Sequence, residues 1–313
     1  MPHLPRVAVA AFSAPFYRLA LDARRPVAWQ RALTEMGARA GRVPRGTVVQ
    51  HVTLGGRPAE RVTNGATERP RAVLYLHGGG YVVGSARMYR VLAAHLSRAA
   101  GAVVFTLDYR LAPEHPYPAA LDDAVAAFDD LVERAGFAPD RIALVGDSAG
   151  GGLAVAAARK LTDAGRRPGA LALLSPWTDP GDVDGADRDF VINKAWGSAC
   201  GEMYRGDADP RDPGYAPMYA DLTGLPPMLI HRCTREVLVH QIARFSERAR
   251  AAGVEVKTVD HDRLWHSGHI LAGMLRDATD AAHDIGVFLR RNLDEPAVSP
   301  GRAERAVGAD AGQ

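Results

Sequence analysis

The sequence of 313 residues has few cysteines, no long apolar run and no excess of charge of one sign. Its two cysteines, Cys200 and Cys233, cannot form a disulfide framework, and they predict reduced thiols in a cytoplasmic protein. The longest apolar stretch, at about residues 99–107, is far shorter than the roughly 18 residues of a membrane span. The 38 basic and 36 acidic residues leave a net charge of +2. No basic stripe is present to neutralise phosphates, so we expect no nucleic-acid partner. The short apolar stretch predicts that the chain has no membrane span.

What is present is the composition of a folded globular chain. Apolar residues make up 47% and charged residues 24%, which excludes a mostly disordered protein. The 32 glycines follow no G-x-y period, which excludes a collagen-like fibre. The length suits one large domain or two small ones.

From about residue 47 the chain alternates between short apolar runs and longer stretches with helical periodicity. The runs that are apolar on both faces lie at 72–77, 102–107, 142–145, 170–174 and 228–230. Such runs, separated by helices, indicate a parallel sheet that is covered on both sides. An alternating segment at 47–54 predicts a first strand, 255–259 a last strand, and 270–293 a final helix.

Two segments do not fit this alternation and predict a cap. Residues 1–45 form helix-like stretches before any strand, and residues 179–224 carry Pro, Gly, Asp and Tyr without strand character. Both would be unusual as plain loops, so we expect them to cover the edge of the sheet where α/β proteins bind ligands. The core would then comprise residues 46–178 and 225–294, and we expect residues 295–313 to be a disordered tail.

A glycine-flanked serine follows one of the buried strands. The strand at 142–145 runs into Gly146-Asp147-Ser148-Ala149-Gly150 and then into a helix, which is the G-x-S-x-G pattern in its strand–turn–helix context. In this template the serine hydroxyl is pushed out at the top of the sheet as a nucleophile. The alternative is a glycine-rich turn with an incidental serine.

A second glycine run, His77-Gly78-Gly79-Gly80, follows the strand at 72–77. Consecutive glycines leave backbone N–H groups uncrowded, which an oxyanion hole requires, and we predict Gly78, Gly79 and Ala149 as its donors. The alternative is a phosphate cradle, but neither a Walker pattern nor a G-x-G-x-x-G fingerprint is present.

A serine nucleophile needs a histidine base, and in this fold the base follows the last strand. That position leaves His261, His266 and His269 as candidates. His261 sits at the strand end between two aspartates, where we expect it on the surface. His266 is preferred because Leu264-Trp265 could anchor its loop. The spacing of His266 and His269 would also suit a metal pair, but no third ligand is evident, so we predict no metal site.

The base needs an orienting carboxylate, which should follow the strand at 228–230. Glu236 is the only acid in that loop. The alternative is a glutamate that is favoured at a helix N-terminus by the helix dipole.

Two aromatic residues beside the motifs, Tyr81 and Trp177, are predicted to line the substrate pocket, with core packing as the alternative for Trp177.

Taken together, these motifs resemble the hormone-sensitive-lipase family of esterases, bacterial family IV of the α/β-hydrolase superfamily. The matching segments are HGGGYVVGS (77–85), DYRLAPEHPYPAALDD (108–123), GDSAGGGLA (146–154), SPW (175–177), YADLTGLPPMLI (219–230), TREVLV (234–239) and LWHSGH (264–269). In the DYRLAPE motif, Asp108, Arg110 and Glu114 are expected to brace the oxyanion loop by a charged network.

The resemblance implies an α/β-hydrolase fold: a mostly parallel eight-stranded sheet with helices on both faces and a helical cap. It implies Ser148 as nucleophile, His266 as base and Glu236 as acid, where family members usually carry aspartate. The implied substrates are short- to medium-chain acyl esters, cleaved without a cofactor, and a homodimer through the last strand is an expectation. The alternatives are an acetyl-hydrolase acting on an N- or O-acetylated metabolite and a non-catalytic ligand-binding relative.

Overall fold

The computed structural model describes residues 3–38, 41–66, 68–183 and 185–294, so the predicted tail at 295–313 lies outside the described residues. The strands are β1 Thr47–Leu54, β2 Arg57–Asn64, β3 Ala72–Leu76, β4 Val103–Leu107, β5 Ile142–Asp147, β6 Ala170–Leu174, β7 Met228–Cys233 and β8 Val256–His261. The helices are α1 Arg6–Ala20, α2 Val27–Ala38, α3 Arg90–Ala100, α4 Ala119–Glu133, α5 Ala149–Asp163, α6 Lys194–Arg205, α7 Val239–Ala251 and α8 Arg276–Asp294.

All eight strands form one sheet in the order β1-β2-β4-β3-β5-β6-β7-β8. The pairs β1–β2 and β2–β4 are antiparallel, and every other neighbouring pair is parallel. Every residue of β3, β4, β5 and β6 is buried, as expected for parallel strands covered on both faces. The predicted fold class, a mostly parallel eight-stranded α/β sheet, is confirmed.

Strand β2 was not predicted, because its sequence RPAERVTN contains a proline and three charged residues. In the structure Glu60 of β2 is buried, and its Oε2 accepts a hydrogen bond of 2.6 Å from Arg90 Nε of α3. A buried charge is tolerated when it is paired and hydrogen-bonded. Arg90, which lies 30 residues further along the chain, therefore compensates the buried charge of this strand.

Helices cover both faces of the sheet, and each face has its own core. Helices α3 and α8 bury Leu96 and Leu289 against one face, while α4, α5 and α7 bury side chains such as Phe128, Leu153 and Phe245 against the other. Full burial of one such side chain contributes about 1.5–3 kcal/mol to folding. The two cores hold the sheet rigid beneath the loops at its C-terminal edge.

The final helix begins at Arg276, six residues later than the predicted start at 270. Residues Gly268–Leu271 form a 3₁₀ turn instead, and Gly273 has a φ of +82°. This left-handed conformation suits glycine and interrupts a helix. A Cβ at Gly273 would also lie 2.9 Å from Nε2 of His95 on α3.

The two segments predicted as a cap contact each other. Nε1 of Trp196 on α6 donates a hydrogen bond of 2.8 Å to Oε1 of Gln30 on α2, and both side chains are buried. Helix α6 also lies against the loop after β3, since a Cβ at Gly80 would be 2.9 Å from Cys200 Sγ. Within the described ranges, none of the helices has the length and apolar character that crossing a membrane requires.

Candidate active site

The turn between β5 and α5 holds Ser148 in a backbone conformation that side chains rarely adopt. Its φ is 51° and its ψ is −121°, and strain of this kind costs about 1–3 kcal/mol. The flanking glycines make the turn possible: a Cβ at Gly146 would lie 2.2 Å from the Gly150 carbonyl oxygen, and one at Gly150 would lie 2.0 Å from the Leu76 oxygen. The chain can therefore turn this sharply only with glycine at both positions.

Ser148, His266 and Glu236 lie in one hydrogen-bonded row. Nε2 of His266 is 2.9 Å from Ser148 Oγ, and Nδ1 of His266 is 2.7 Å from Glu236 Oε2. The three residues follow β5, β8 and β7, so the C-terminal edge of the sheet brings them together. Their exposed fractions are only 8%, 3% and 2%, which places the row beneath the surface.

The environment of His266 favours its protonated form. Burial disfavours the imidazolium, but the hydrogen bond and negative charge of Glu236 outweigh it and raise the pKa of His266 above its usual value. Because a carboxylate can only accept, the contact with Glu236 assigns the ring proton to Nδ1. In the neutral ring, Nε2 is therefore an acceptor directed at the Ser148 hydroxyl.

The loop that carries Glu236 is held by an aspartate that the sequence analysis missed. The second carboxylate oxygen of Glu236 accepts a hydrogen bond of 2.8 Å from the Cys233 N–H. The neighbouring N–H of Val237 donates to Oδ2 of Asp189 at 3.0 Å, and Oδ1 of Asp189 accepts two further N–H groups from its own loop. Asp189 lies in the segment 179–224, where no periodic pattern gives a signal for it.

The N–H of Gly78, which the sequence analysis names as an oxyanion donor, has other hydrogen-bond partners in this structure. This N–H donates to Asp147 Oδ1 at 2.8 Å and lies 3.1 Å from the Tyr89 hydroxyl, so its hydrogen is already engaged. Within the described part of the chain, the N–H groups of Gly79, Gly80 and Ala149 have no hydrogen-bond partner. Gly80 therefore replaces Gly78 as a candidate donor.

Asp147, the residue before the serine, ties the serine turn to the glycine run. Besides the Gly78 N–H, its carboxylate accepts hydrogen bonds of 3.0 Å from the hydroxyls of Tyr75 and Tyr89. Burial raises the pKa of Asp147, although these donors oppose the shift. Asp147 has no predicted role, because only the fold brings its three partners together.

The segment that begins with Asp108 also contacts the loop after β3 that carries the glycine run. The Tyr109 hydroxyl donates a hydrogen bond of 2.6 Å to the His77 carbonyl, and Asp108 Oδ1 accepts one of 2.6 Å from the Ala86 N–H. Two other charged residues of this segment form ion pairs: Arg110 binds Asp123 of α4, and Glu114 binds Arg31 of α2. Arg31 Nε also donates to the Val82 carbonyl at 2.8 Å.

Tyr81 and Trp177 lie in an aromatic cluster beneath α6. The Tyr81 ring stacks on Tyr204 with centroids 3.6 Å apart, and the Trp177 ring is 6.2 Å from Tyr81. Their exposed fractions are 1% and 3%. Both rings therefore pack in the core of this structure, and a substrate contact by either one stays a prediction.

The other two candidate bases lie away from Ser148. His261 is the last residue of β8 and is half-buried, not on an open surface loop. His269 is fully buried, and both rings contact His231 of β7. The two histidines of the HxxH pair therefore have different partners: His266 contacts Ser148 and Glu236, and His269 contacts His231.

Comparison with known proteins agrees with this geometry. A family model described as "alpha/beta hydrolase fold" matches residues 73–270. An acetyl-hydrolase of Streptomyces hygroscopicus is 40% identical over 278 residues, covering 87% of this chain and 90% of that protein. The carboxylesterase/phospholipase LipF of Mycobacterium tuberculosis is 31% identical over 302 residues, covering 90% and 79%. The crystal structure of an esterase from the bacterial hormone-sensitive lipase family has a TM-score of 0.85 and 36% identity, covering 94% of this chain and 100% of that one.

Proposed function

The chain belongs to the hormone-sensitive-lipase family of α/β hydrolases and is a carboxylic ester hydrolase, and on this premise we propose that it cleaves short- to medium-chain acyl esters with Ser148 as nucleophile. The observation that carries the proposal is the row of hydrogen bonds from Ser148 through His266 to Glu236. A nucleophile, a base and an orienting acid in this order are the parts that acyl transfer needs.

In the first half of the reaction, Ser148 Oγ attacks the ester carbonyl carbon while its proton moves to Nε2 of His266. Glu236 stabilises the imidazolium that forms. The carbonyl oxygen becomes an oxyanion and accepts hydrogen bonds from the N–H groups of Gly79, Gly80 and Ala149. Loss of one such donor typically lowers kcat by about 10²- to 10³-fold. Ala149 is also the first residue of α5, and the positive end of the helix dipole favours the negative charge that develops on the oxyanion.

In the second half, His266 gives its proton to the alkoxy oxygen, and the alcohol leaves an acyl group on Ser148. A water molecule then attacks the acyl carbon while His266 takes one of its protons. The carboxylic acid is released and the Ser148 hydroxyl is restored. His266 carries every proton in this cycle, so the proposed chemistry requires no cofactor.

We further propose that residues 1–45 and 179–224 act as a cap over the core formed by 46–178 and 225–294. The contact between Trp196 and Gln30 joins the two cap segments, and α6 packs on Gly80 beside the proposed oxyanion site. Because Ser148 is almost covered, this arrangement favours small acyl groups. The burial of Ser148 supports the shorter part of the predicted range of short- to medium-chain esters.

The test is hydrolysis of p-nitrophenyl esters from acetate to palmitate. We expect an optimum between acetate and octanoate, and a loss of about 10⁶-fold in kcat for Ser148→Ala. Ser198→Ala, at an exposed serine of α6, is the matched control and should retain wild-type activity. Near wild-type turnover by Ser148→Ala would refute the proposed nucleophile.

A second candidate activity is removal of an acetyl group from an N- or O-acetylated metabolite. The 40% identity to an acetyl-hydrolase favours it. Turnover of acetamides without turnover of simple esters would select this alternative. A non-catalytic binding role is disfavoured, because all three candidate triad residues are present and hydrogen-bonded.

A cytoplasmic location and a homodimer complete the proposal. Both cysteines are free and buried, which suits a reducing compartment.

Strand β8 pairs with β7 alone among the described residues and could pair with a second copy through its other edge. Light scattering after size-exclusion chromatography tests the dimer, and a monomeric mass at micromolar concentration would exclude it.

A further inference from the structure

Three histidines outside the catalytic row converge at one end of β7 and β8. Nδ1 of His231 is 2.9 Å from Nε2 of His261 and 3.1 Å from Nε2 of His269. One ring nitrogen from each histidine lies within 4.8 Å of the other two. We propose that His231, His261 and His269 bind one divalent transition-metal ion, with Zn²⁺ as the best match.

The spacing of the three nitrogens suits such an ion. Zinc is bound by histidine at about 2.0–2.1 Å in tetrahedral sites, which separates two ligand nitrogens by about 3.3 Å. The two contacts of His231 Nδ1, at 2.9 Å and 3.1 Å, are a few tenths of an ångström shorter than that spacing. Small movements of the rings around a central ion would therefore complete three of the four tetrahedral positions.

Protons alone cannot satisfy these nitrogens. If His231 Nδ1 is an acceptor, its single lone pair must serve two N–H donors; if it is a donor, its single hydrogen must serve two acceptors. Either assignment leaves one contact of about 3 Å without a proper hydrogen bond. A metal ion removes this conflict, because each nitrogen then contributes its own lone pair.

The surroundings keep the rings neutral and supply compensating charge. Burial lowers the pKa of His231 to about 3 and that of His269 well below its usual value, so both can act as ligands at neutral pH. Burial also lowers the pKa of His261. The groups that act on these rings by charge are Lys257 near His231 and four aspartates near His261, namely Asp260, Asp262, Asp277 and Asp284. Two of these aspartates are already paired, Asp260 with Arg232 and Asp277 with Arg263, so the negative charge that remains to favour a cation comes from Asp262 and Asp284.

The outer ring nitrogens set an upper limit on affinity. His231 Nε2 and His269 Nδ1 are buried and lack a hydrogen-bond partner in the part of the chain that the structure describes. Ligand histidines normally donate this outer N–H, and loss of that partner weakens binding about 10- to 100-fold. We therefore expect an affinity below that of structural zinc sites.

The site would hold the loops of the catalytic row without taking part in the reaction. His269 follows His266 by three residues, and His231 precedes Glu236 by five. An ion joining β7, β8 and the 3₁₀ turn would fix both loops at their bases. Binding and thermal stability report on the ion directly, so the test does not depend on the proposed esterase activity.

The experiment uses the full chain without an affinity tag, treated with a chelator and then dialysed. We expect one Co²⁺ per chain with visible absorption bands of a nitrogen-ligated ion, and one Zn²⁺ by calorimetry. Tm should rise by about 5 °C at a Zn²⁺ concentration of about 100 times Kd. His261→Gln should lose the bands and the Tm shift. His283→Gln, at an exposed histidine of α8, should retain both.

Absence of saturable binding by the wild-type chain would overturn the proposal, as would equal binding and equal Tm shifts in His261→Gln. His261 is half-exposed at a strand end, so this variant is expected to fold, which circular dichroism checks. If it fails to fold, the wild-type Co²⁺ spectrum decides: bands of an ion ligated by oxygen alone would refute the three-histidine site.

Discussion

Replacing Glu236 by glutamine removes a negative charge from the proposed catalytic row, Ser148, His266 and Glu236, without changing the size of the side chain. Both oxygens of Glu236 accept hydrogen bonds, one from His266 Nδ1 at 2.7 Å and one from the Cys233 N–H at 2.8 Å. Glutamine offers one oxygen and one NH₂ group in their place. The side chain is buried, so water cannot serve the group that is left over.

Each orientation of the new amide damages the site. If the oxygen stays with the Cys233 N–H, the NH₂ group faces His266 Nδ1 and forces the ring proton onto Nε2. That tautomer cannot accept the proton of Ser148. If the amide turns round, its NH₂ group opposes the Cys233 N–H and two buried donors meet. Both states also lose the charge that stabilises the imidazolium.

The expected loss is about 10³- to 10⁴-fold in kcat, or about 4 to 5.5 kcal/mol of barrier, by analogy with the amide substitution in other serine triads. The assay is steady-state hydrolysis of p-nitrophenyl acetate, with a thermal melt to show that the variant folds. Glu255→Gln, at an exposed glutamate, is the matched control and should match wild type.

Glu236→Asp separates charge from reach. It keeps the charge but shortens the side chain by about 1.5 Å, so we expect a loss smaller than that of Glu236→Gln. A folded Glu236→Gln variant with more than about a tenth of wild-type kcat would refute the role of Glu236. The search for the acid would then turn to another carboxylate.

Three further predictions concern pH, the loop contacts and the turn. The proposed mechanism needs neutral His266, whose pKa is raised, so kcat/KM should fall with decreasing pH at a midpoint above 6.5; a lower midpoint would contradict this environment. Asp147→Asn replaces one carboxylate oxygen by an NH₂ donor, so either Tyr89 or the pair of Gly78 and Tyr75 loses its acceptor; kcat should fall about 10- to 100-fold, with wild-type kcat as the contradicting result. Gly150→Ala places a Cβ 2.0 Å from the Leu76 oxygen and should lower the free energy of unfolding by about 3 kcal/mol in urea; an unchanged midpoint would show that the turn can relax.

Several features could be predicted from sequence because their signals are local. Strands β3 to β6 are apolar on both faces, which is the pattern of central parallel strands. The serine turn carries its own glycines. The order of strands along the chain limits the candidate partners of Ser148 to a few residues. In the structure, His266 lies within hydrogen-bonding distance of both Ser148 and Glu236.

Other features depend on groups that are far apart in sequence, and only the tertiary structure decided them. The direction of the Gly78 N–H is set by Asp147, 69 residues away, which is why Gly80 and not Gly78 remains as a candidate donor. The buried Glu60 of β2 is compensated by Arg90 of α3, which lies 30 residues further along the chain. The convergence of His231 and His269 follows from strand order and one turn, since no spacing along the chain brings them together. Local patterns predicted most of the elements and the candidate reactive groups; contacts across the fold determined the direction of each donor and acceptor.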